Sequence, residues 1–420
     1  MQRAIALVDV NNFYASCERV FNPKLEGKAV VVLSNNDGCA IARSAKAKEL
    51  GIRMGEPYFK IKEAYGKQGV VALSSNYTLY ADMSNRVMNI IGSYAPTQEV
   101  YSIDESFVDL TGIHQNHVEL AKDMRAKIKK WTGLPVCVGI GATKTLAKLA
   151  NHIAKKEAVY NGVCNLNEID RKVLDEIMSK VKVGEVWGVG RRLTVSLNQM
   201  GIKTVLDLKQ SNPEHLRQQF SVLMEKTIRE LNGIACTELE DVPPNKKEIV
   251  SSRSFGQRVR DLIALQEAVS QYTSKAAEKL RNQKSLAGTI QVFIQTSPFG
   301  DSPKYANSMV VTIQPTDDTI RLVEIALAIL KKLYRRGYDY QKAGVLLGDI
   351  SRKSLQQTDL FSPANTNRRR LMETLDRVNS KMGKSSLRLA SEGINPSWKM
   401  RQGNKSKNFT TNWGEILICD

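Results

Sequence analysis

The first 165 residues alternate between short apolar runs and segments with helical spacing. The runs are rich in β-branched residues and are bounded by Gly, Asn or Pro, which predicts strands; they span residues 4–8, 29–33, 69–73, 99–103 and 134–140. Between them, sequences such as IARSAKAKEL and VELAKDMRAKIKKW place apolar residues at helical intervals. This alternation predicts an α/β domain.

The pattern changes twice further along the chain. Residues 167–237 are almost wholly helical in pattern, and the next segment, 238–248, contains two prolines and several charges, which is typical of a linker. Residues 249–350 show four strand-like runs and two long amphipathic segments, predicting an α+β domain with a four-stranded sheet and two helices. In residues 351–420 Asn, Ser, Lys and Arg become dense, which predicts a basic, partly disordered tail.

Length and composition agree with a folded multidomain protein. A chain of 420 residues with 42% hydrophobic content exceeds what one core organises. No apolar run of about 18 residues is present, and the opening sequence has a strand pattern without the features of an export signal. Six cysteines occur without a C-x-x-C pair, so a reducing cytoplasm is the expected location.

The net charge of +18 indicates a polyanionic partner. Most of the excess lies in residues 243–420, which carry 29 basic and 16 acidic residues, a net charge of +13. Simple solvation of the surface is the alternative explanation.

Three carboxylates follow predicted strands. Asp9 comes directly after the run 4–8, and Asp104 with Glu105 follows the run 99–103. Carboxylates at strand ends suit hard divalent cations, and three of them could hold two Mg²⁺ for an in-line phosphoryl displacement. Because adjacent strand residues point to opposite faces, Asp104 and Glu105 could share a site only if a turn or bulge redirects one of them. Ordinary strand-end residues remain the alternative.

Several motifs carry a family resemblance. The motifs are DVNNFYASCE, SNNDGCAIARSAKAKELGIRMGEP, SSNYTLYADMSNRVM, YSIDESFVDL, VGIGATKTLAKLANHIAKK and VWGVGRRL. Together they resemble the Y-family translesion DNA polymerases over about 350 residues, in particular the UmuC-like group that includes the catalytic subunit of bacterial DNA polymerase V.

The resemblance implies a right-hand polymerase fold, multidomain α/β and α+β. The implied parts are a palm (1–18 and 74–166), small fingers (19–73), a helical thumb with a helix-hairpin-helix (167–237), a linker (238–248), an α+β little finger (249–350) and a basic tail with a clamp-binding peptide (351–420).

By the same resemblance, Asp9, Asp104 and Glu105 are the catalytic metal-binding carboxylates. Val10 occupies the position at which the family offers a backbone carbonyl to a metal. Two Mg²⁺ per active site are expected.

Tyr14 matches the family's steric gate, an aromatic ring that excludes the ribose 2′-OH. The 2′-OH is the group that lets a protein separate RNA from DNA precursors at a site. Its neighbour Phe13 is assigned to the same substrate-binding set, with a place in the core as the alternative.

Basic residues are expected to contact the triphosphate. Lys155 matches a triphosphate-binding lysine of the family. Lys48 and Arg43 are expected to contact the triphosphate from the fingers. Lys144 and Lys148 share the helix face of Lys155, where DNA contact and plain solvation are equally open interpretations. The segment GIGATKT departs from a P-loop because Thr143 replaces the glycine before the lysine.

The predicted thumb contains a backbone-binding motif. Gly188 and Gly190 precede Arg191 and Arg192 at the start of a helical pattern, as in a helix-hairpin-helix that holds DNA phosphates without reading sequence. A plain turn is the alternative.

The tail contains a peptide for a protein partner. Gln357, Leu360 and Phe361 fit the Q-x-x-L-F pattern by which bacterial polymerases bind the sliding clamp. The resemblance also implies a cleaved UmuD-like dimer and the RecA filament as partners.

The sequence therefore predicts an error-prone translesion DNA polymerase of the DNA-damage (SOS) response, which extends a primer with dNTPs across damaged template. Two alternatives are a non-catalytic, clamp-recruited DNA-binding scaffold and a metal-dependent nuclease. The scaffold would not need three intact carboxylates and Tyr14, and a nuclease would have no use for a steric gate or a triphosphate lysine.

Overall fold

The computed structural model describes residues 3–240, 242, 244–355, 366–394, 396 and 398–417. The chain forms two compact units. One comprises Met1–Leu33, Cys39–Pro243 and Asn404–Asp420, and the other comprises Ser34–Gly38 and Pro244–Gly403. No helix in the described ranges has the length and apolar character needed to cross a membrane.

The first unit contains two sheets. A five-stranded sheet has the order β5-β6-β1-β7-β8, and a three-stranded sheet has the order β3-β2-β4. The strands are β1 (Ile5–Val10), β2 (Val30–Leu33), β3 (Ala40–Arg43), β4 (Val71–Ser74), β5 (Gln98–Val100), β6 (Glu105–Asp109), β7 (Val136–Gly141) and β8 (Val163–Asn165).

The helices of the first unit cover the larger sheet and form a separate helical region. They are α1 (Phe13–Phe21), α2 (Ala45–Glu49), α3 (Tyr58–Tyr65), α4 (Tyr77–Gly92), α5 (His117–Thr132), α6 (Lys144–Lys156), α7 (Arg171–Lys180), α8 (Arg191–Gln199), α9 (Val205–Gln210), α10 (Pro213–Gln219) and α11 (Val222–Leu231).

The alternation of β1 determines which face receives the functional residues. Ala6 and Val8 pack with α4 and α5, whereas Ile5 and Leu7 pack with Ala147 of α6. Since side chains alternate along a strand, Asp9 follows Ile5 and Leu7 onto the α6 face.

A close approach between β7 and α6 brings that helix against the sheet. A Cβ atom on Gly139 would lie 2.0 Å from the backbone nitrogen of Asn151 in α6. Only a glycine permits this spacing without moving the helix. The helix positions of Lys148 and Lys155 therefore depend on Gly139.

The smaller sheet corrects one prediction. Residues 41–50 were expected to be helical, but Ala40–Arg43 forms β3 and only Ala45–Glu49 forms a helix. Ala40 and Ala42 are buried with period two, and the Ser44 side chain accepts a hydrogen bond from the Ala47 backbone as an N-cap. The cap separates the strand from the helix.

Residues 249–352 of the second unit form the predicted four strands and two helices. Its antiparallel sheet has the order β11-β10-β12-β9, and two helices pack against it around a common core. The elements are β9 (Ile249–Val259), α12 (Leu262–Asn282), β10 (Ser285–Thr296), β11 (Ala306–Thr316), α13 (Thr319–Leu333) and β12 (Tyr340–Arg352).

The expectation of a partly disordered tail misses ordered structure beyond residue 365. Thr366–Met382 forms α14, and Trp398 is buried in the core of the second unit, with its ring contacting Phe255 and Tyr272 edge-on. Most of α14 is polar, so its helical period was hard to see in the sequence.

Candidate active site

Three carboxylates lie at one end of the β1–β6 strand pair. Asp9 is directly opposite Glu105 in the antiparallel register. Asp104 immediately precedes β6, and its backbone oxygen accepts a 2.9 Å hydrogen bond from the Val10 backbone. The strand register thus brings together the acidic residues that are 95 or more positions apart in sequence.

A bend in the backbone positions Asp104 and Glu105. The strand predicted over residues 99–103 therefore ends earlier than expected. The strand β5 ends at Val100, and residues 101–104 form a bend before β6. The Ser102 hydroxyl donates to Asp104 Oδ1 at 2.6 Å and accepts from the backbone nitrogen of Glu105 at 3.0 Å. Asp104 is therefore outside the strand alternation that would have separated it from Glu105.

Two lysines on α6 neutralise two of the carboxylates. Lys155 Nζ lies 2.6 Å from Asp9 Oδ1, and Lys148 Nζ lies 3.0 Å from both carboxylate oxygens of Glu105. Lys148 also lies 4.5 Å from the centre of the Tyr101 ring. Both ammonium groups thus have carboxylate partners within the site.

Lys144 is buried, so plain solvation is not its role. Its side chain is 3% exposed, and Nζ donates to both oxygens of Glu99 at 2.9 and 2.6 Å. A buried ammonium needs such a partner, because burying an unpaired charge is very costly. Lys144 therefore forms a buried ion pair with Glu99.

The surroundings of Asp9 shift the pKa of its carboxyl group. Burial raises the pKa of Asp9 to about 6 from its ordinary value of 3.8, Lys155 opposes that shift, and the charges of Glu105 and Asp104 add to it. The three carboxylates are therefore close enough for Asp104 and Glu105 to influence the charge state of Asp9.

The donor set fits hard divalent cations, since all three side chains offer oxygen. Within the described ranges, however, no three His, Cys, Asp or Glu side chains form a ready metal-binding group. Each carboxylate has an internal donor instead: Lys155 for Asp9, Ser102 for Asp104 and Lys148 for Glu105.

Tyr14 is placed by an abrupt change of direction after β1. Asn12 has φ 50° and ψ 43°, a left-handed conformation that Asn tolerates better than most residues. The chain turns there into α1, whose second residue is Tyr14. The Tyr14 ring is half-buried and stacks on Tyr80 with centroids 4.4 Å apart and planes at 17°. Burial is the main cause of the raised pKa of Tyr14, and Tyr77 and the charge of Asp104 add to it.

Phe13 lies in the core of the first unit. It is 4% exposed and contacts Tyr14 and Tyr80 with its ring. This is the position given above as the alternative to substrate binding.

The basic residues of the smaller sheet lie near Lys155. Lys48 Nζ donates to the Asn12 side chain at 2.6 Å, and partial desolvation together with Arg43 and Lys155 lowers the pKa of Lys48. Arg43 donates to the backbone oxygen of Ile52 at 2.7 Å. Lys48 and Lys155 are thus both close enough to Asp9 to interact with its charge.

The glycine motif opens a helix as predicted. Gly188 has φ +87°, and α8 begins at Arg191 immediately after Gly190. Both glycines and both arginines, Arg191 and Arg192, are exposed. The clamp-binding peptide Gln357, Leu360 and Phe361 lies outside the described residues.

Comparison with known proteins identifies the family. The impB/mucB/samB family matches residues 8–152, its C-terminal domain matches residues 246–360, and a domain of unknown function matches residues 369–418. Protein UmuC of Salmonella typhimurium is 48% identical over 419 residues, covering 98% of this chain and 99% of that protein. The chain belongs to the impB/mucB/samB family.

Other relatives and solved structures similar to this impB/mucB/samB protein include DNA polymerases. Protein ImpB of Salmonella typhimurium is 45% identical, covering 99% of each chain, and DNA polymerase IV of Pelotomaculum thermopropionicum is 26% identical, covering 96% of this chain and 98% of that protein. A Y-family DNA polymerase chimera of Dbh and Dpo4 has a TM-score of 0.64 at 24% identity, covering 83% of this chain and 99% of that one.

These relatives confirm the predicted family, the solved structure confirms the predicted right-hand polymerase fold, and the DNA polymerase relatives support the prediction of an error-prone translesion DNA polymerase. They favour neither a scaffold nor a nuclease.

Sequence reasoning missed the contacts of five residues around the impB/mucB/samB site. The Ser102 hydroxyl, the ion pair of Lys148 and the Glu18–Tyr80 hydrogen bond behind Tyr14 have no local sequence signal. Ser406 also contacts Glu18, at 3.1 Å. It lies 388 positions from that residue, and no local signal connects the two.

Proposed function

We propose that this chain adds deoxynucleotides to a primer opposite damaged template, using Asp9, Asp104 and Glu105 to hold two Mg²⁺ with the backbone carbonyl of Val10. The observation that best supports this proposal is the register of β1 and β6, which sets Asp9 opposite Glu105, with Asp104 in the adjoining bend. When bound, the metals supply charge stabilisation for an in-line phosphoryl displacement.

Lys155, Lys48 and Arg43 bind the triphosphate of the incoming nucleotide in this proposal. Support comes from their mutual electrostatic influence beside Asp9. Lys155 exchanges its carboxylate partner for a phosphate when nucleotide and metal arrive. The exchange keeps every charge paired, which limits the cost of desolvating the site.

Tyr14 selects the sugar. Its half-exposed ring lies near Asp104 and is backed by the buried Tyr80, so a group that contacts it meets a surface with little freedom to retreat. A 2′-OH on the nucleotide would have to displace this stack. Phe13 supports the ring from the core side.

DNA binding and recruitment use the remaining predicted elements. Gly188, Gly190, Arg191 and Arg192 hold the duplex backbone, and the basic residues of 243–420 extend the contact. Gln357, Leu360 and Phe361 bind the sliding clamp. By likeness to UmuC proteins, a cleaved UmuD-like dimer and RecA activate the enzyme, which acts in the cytoplasm. In this proposal the chain is divided into the palm, fingers, thumb, linker, little finger and tail predicted from the sequence.

Primer extension by the purified full chain tests the proposal. The substrate is a primer-template with either an intact base or an abasic site, and the reactions contain Mg²⁺ or a chelator, with and without the UmuD-like dimer and RecA filament. Nucleotide addition across the lesion that requires Mg²⁺ supports the proposal. Degradation of the primer, or DNA binding with no synthesis under any of these conditions, contradicts it.

A further inference from the structure

A buried network lies behind Tyr14. Tyr80 is fully buried, and its hydroxyl donates to Glu18 Oε1 at 2.6 Å. Glu18, on α1, is itself only 2% exposed. A buried carboxylate stays in such a place only when hydrogen-bonded, so this contact fixes the rotation and depth of the Tyr80 ring.

The C-terminal segment completes the network. The hydroxyl of Ser406 donates to the same Glu18 oxygen at 3.1 Å. The segment is held against the first unit by further contacts: the side-chain nitrogen of Asn76 lies 3.1 Å from both Ser406 Oγ and the Lys407 backbone oxygen, and Phe409 stacks on Phe21 with centroids 4.7 Å apart.

These contacts form one chain of support from Ser406 through Glu18 and Tyr80 to Tyr14. Asn76 also accepts a hydrogen bond from the Leu79 backbone at the N-terminus of α4, the helix that carries Tyr80. The same residue therefore anchors both the C-terminal segment and the start of the helix. A displacement of Ser406 would therefore alter the support of the Tyr80 ring, on which the Tyr14 ring stacks.

We propose that Glu18 and Tyr80 are positioning residues for sugar selection, and that residues 404–409 sustain them through Ser406. This inference rests on the proposed role of Tyr14 as the sugar gate. It assigns part of the matched domain of unknown function, residues 369–418, to the fidelity of nucleotide choice.

The first test removes the network while keeping the stacked rings. Tyr80→Phe retains the aromatic surface and loses the hydrogen bond to Glu18. We expect the preference for dNTP over rNTP, measured as the ratio of kcat/KM values in primer extension, to fall by roughly tenfold or more, because displacement of a contact by about 1 Å can cost roughly 10²-fold. The kcat for dNTP should stay within about threefold, since the carboxylates are unchanged.

A matched variant separates positioning from general stability. Tyr94→Phe deletes another tyrosine–carboxylate hydrogen bond of 2.6 Å, to Asp123, in the same unit. It should leave sugar preference unchanged. Ser406→Ala tests the C-terminal segment alone and should lower the preference in the same direction as Tyr80→Phe, by a smaller factor.

Conservative replacement and coupling provide two further readouts. Glu18→Gln keeps an acceptor oxygen for both hydroxyls and should retain most of the preference, whereas Glu18→Ala should lose it. In the Tyr14→Ala background, Tyr80→Phe should have no further effect, because the ring it positions is gone. Thermal unfolding identifies any variant that does not fold, and the Ser406→Ala result then decides.

The outcomes distinguish this inference from the gate itself. If Tyr14→Ala admits ribonucleotides but folded Tyr80→Phe and Ser406→Ala do not, the positioning role is refuted and the gate stands. If Tyr14→Ala leaves sugar preference unchanged, both assignments are overturned. Equal losses in Tyr80→Phe and Tyr94→Phe would show a merely structural effect and refute the proposal.

Discussion

Lys155 and Asp9 form an ion pair with 2.6 Å between Nζ and Oδ1, joining the lysine proposed to bind the triphosphate to a carboxylate proposed to bind metal. The pair keeps both groups poised in the absence of ligand. Because Gly139 sets the distance between α6 and the sheet, this relationship is built into the backbone.

The proposed metal-binding role of Asp104 predicts a selective loss of catalysis. Asp104→Asn keeps an oxygen that can accept from Ser102, so the bend should persist. Nucleotide addition should fall by at least about a hundredfold, because charge stabilisation by metal is worth several kcal/mol. Primer extension and DNA titration measure the two effects. Asp109→Asn, at the other end of β6, is the control, and near-normal extension by Asp104→Asn would refute the role.

The pKa of Asp9 predicts how stability of the metal-free protein depends on pH. The folded-state pKa of about 6 exceeds the ordinary 3.8, so the folded state binds this proton more tightly. The resulting stabilisation is present below about pH 4 and is lost as pH rises through about 6; it amounts to at most about 3 kcal/mol.

Denaturant unfolding in EDTA at several pH values measures this contribution. Asp9→Asn should remove it, so the variant should gain stability relative to the parent between pH 4 and 6. Asp82→Asn, at an exposed pair with Arg86, should show no comparable trend. Parallel pH curves for Asp9→Asn and the parent would contradict the assignment.

The buried ion pair of Lys144 predicts a stability effect without a DNA-binding effect. Lys144→Met leaves Glu99 buried without its charged partner and should destabilise the fold by roughly 3–5 kcal/mol. Lys122→Met, at an exposed pair with Glu119, should cost at most about 1 kcal/mol. Denaturant unfolding compares them, and a larger loss of DNA affinity than of stability in Lys144→Met would restore the DNA-contact interpretation.

The charge of residues 243–420 predicts a steep dependence of DNA affinity on salt. If about six to ten phosphates are neutralised, affinity for primer-template should drop roughly 10³–10⁵-fold between 50 and 200 mM salt and should depend little on sequence. Titration of labelled DNA at several salt concentrations measures the slope. A flat response would contradict an electrostatic interface.

The clamp-binding peptide predicts a separable function. Leu360→Ala combined with Phe361→Ala should weaken clamp binding by about a hundredfold or more, since each buried apolar side chain contributes roughly 1.5–3 kcal/mol. Synthesis without the clamp should be unchanged. Asp359→Ala, at a variable position of the pattern, is the control, and full clamp stimulation of the double variant would refute the role. Removal of the whole tail is unsuitable, because it also removes the buried Trp398.

Local patterns predicted most of the fold, and chemistry at strand ends predicted the acidic site. The strand before Asp9 and the helix that begins after Gly190 could be predicted, because the sequence pattern of each lies within a few residues. The prediction of a helix over residues 41–50 was wrong because Ser44 ends a strand and caps a short helix there. The alanines of this segment occur in both the strand and the helix, so they did not distinguish the two. The partners of Lys144 and Glu18 were not predictable, because both contacts depend on residues brought together only by the tertiary fold.

The hydrogen bond between Ser406 and Glu18 also has a consequence for folding during translation of the chain by the ribosome. The two residues are separated by 388 positions, so at about 5–20 residues per second a ribosome needs roughly 20–80 s to pass from one codon to the other. During that interval Glu18 lacks one of its two hydroxyl donors. A nascent chain that already contains Asp9, Asp104, Glu105 and Lys155 therefore still lacks one support of the proposed sugar gate. We expect its discrimination between dNTPs and rNTPs to be complete only when residues 404–409 have folded.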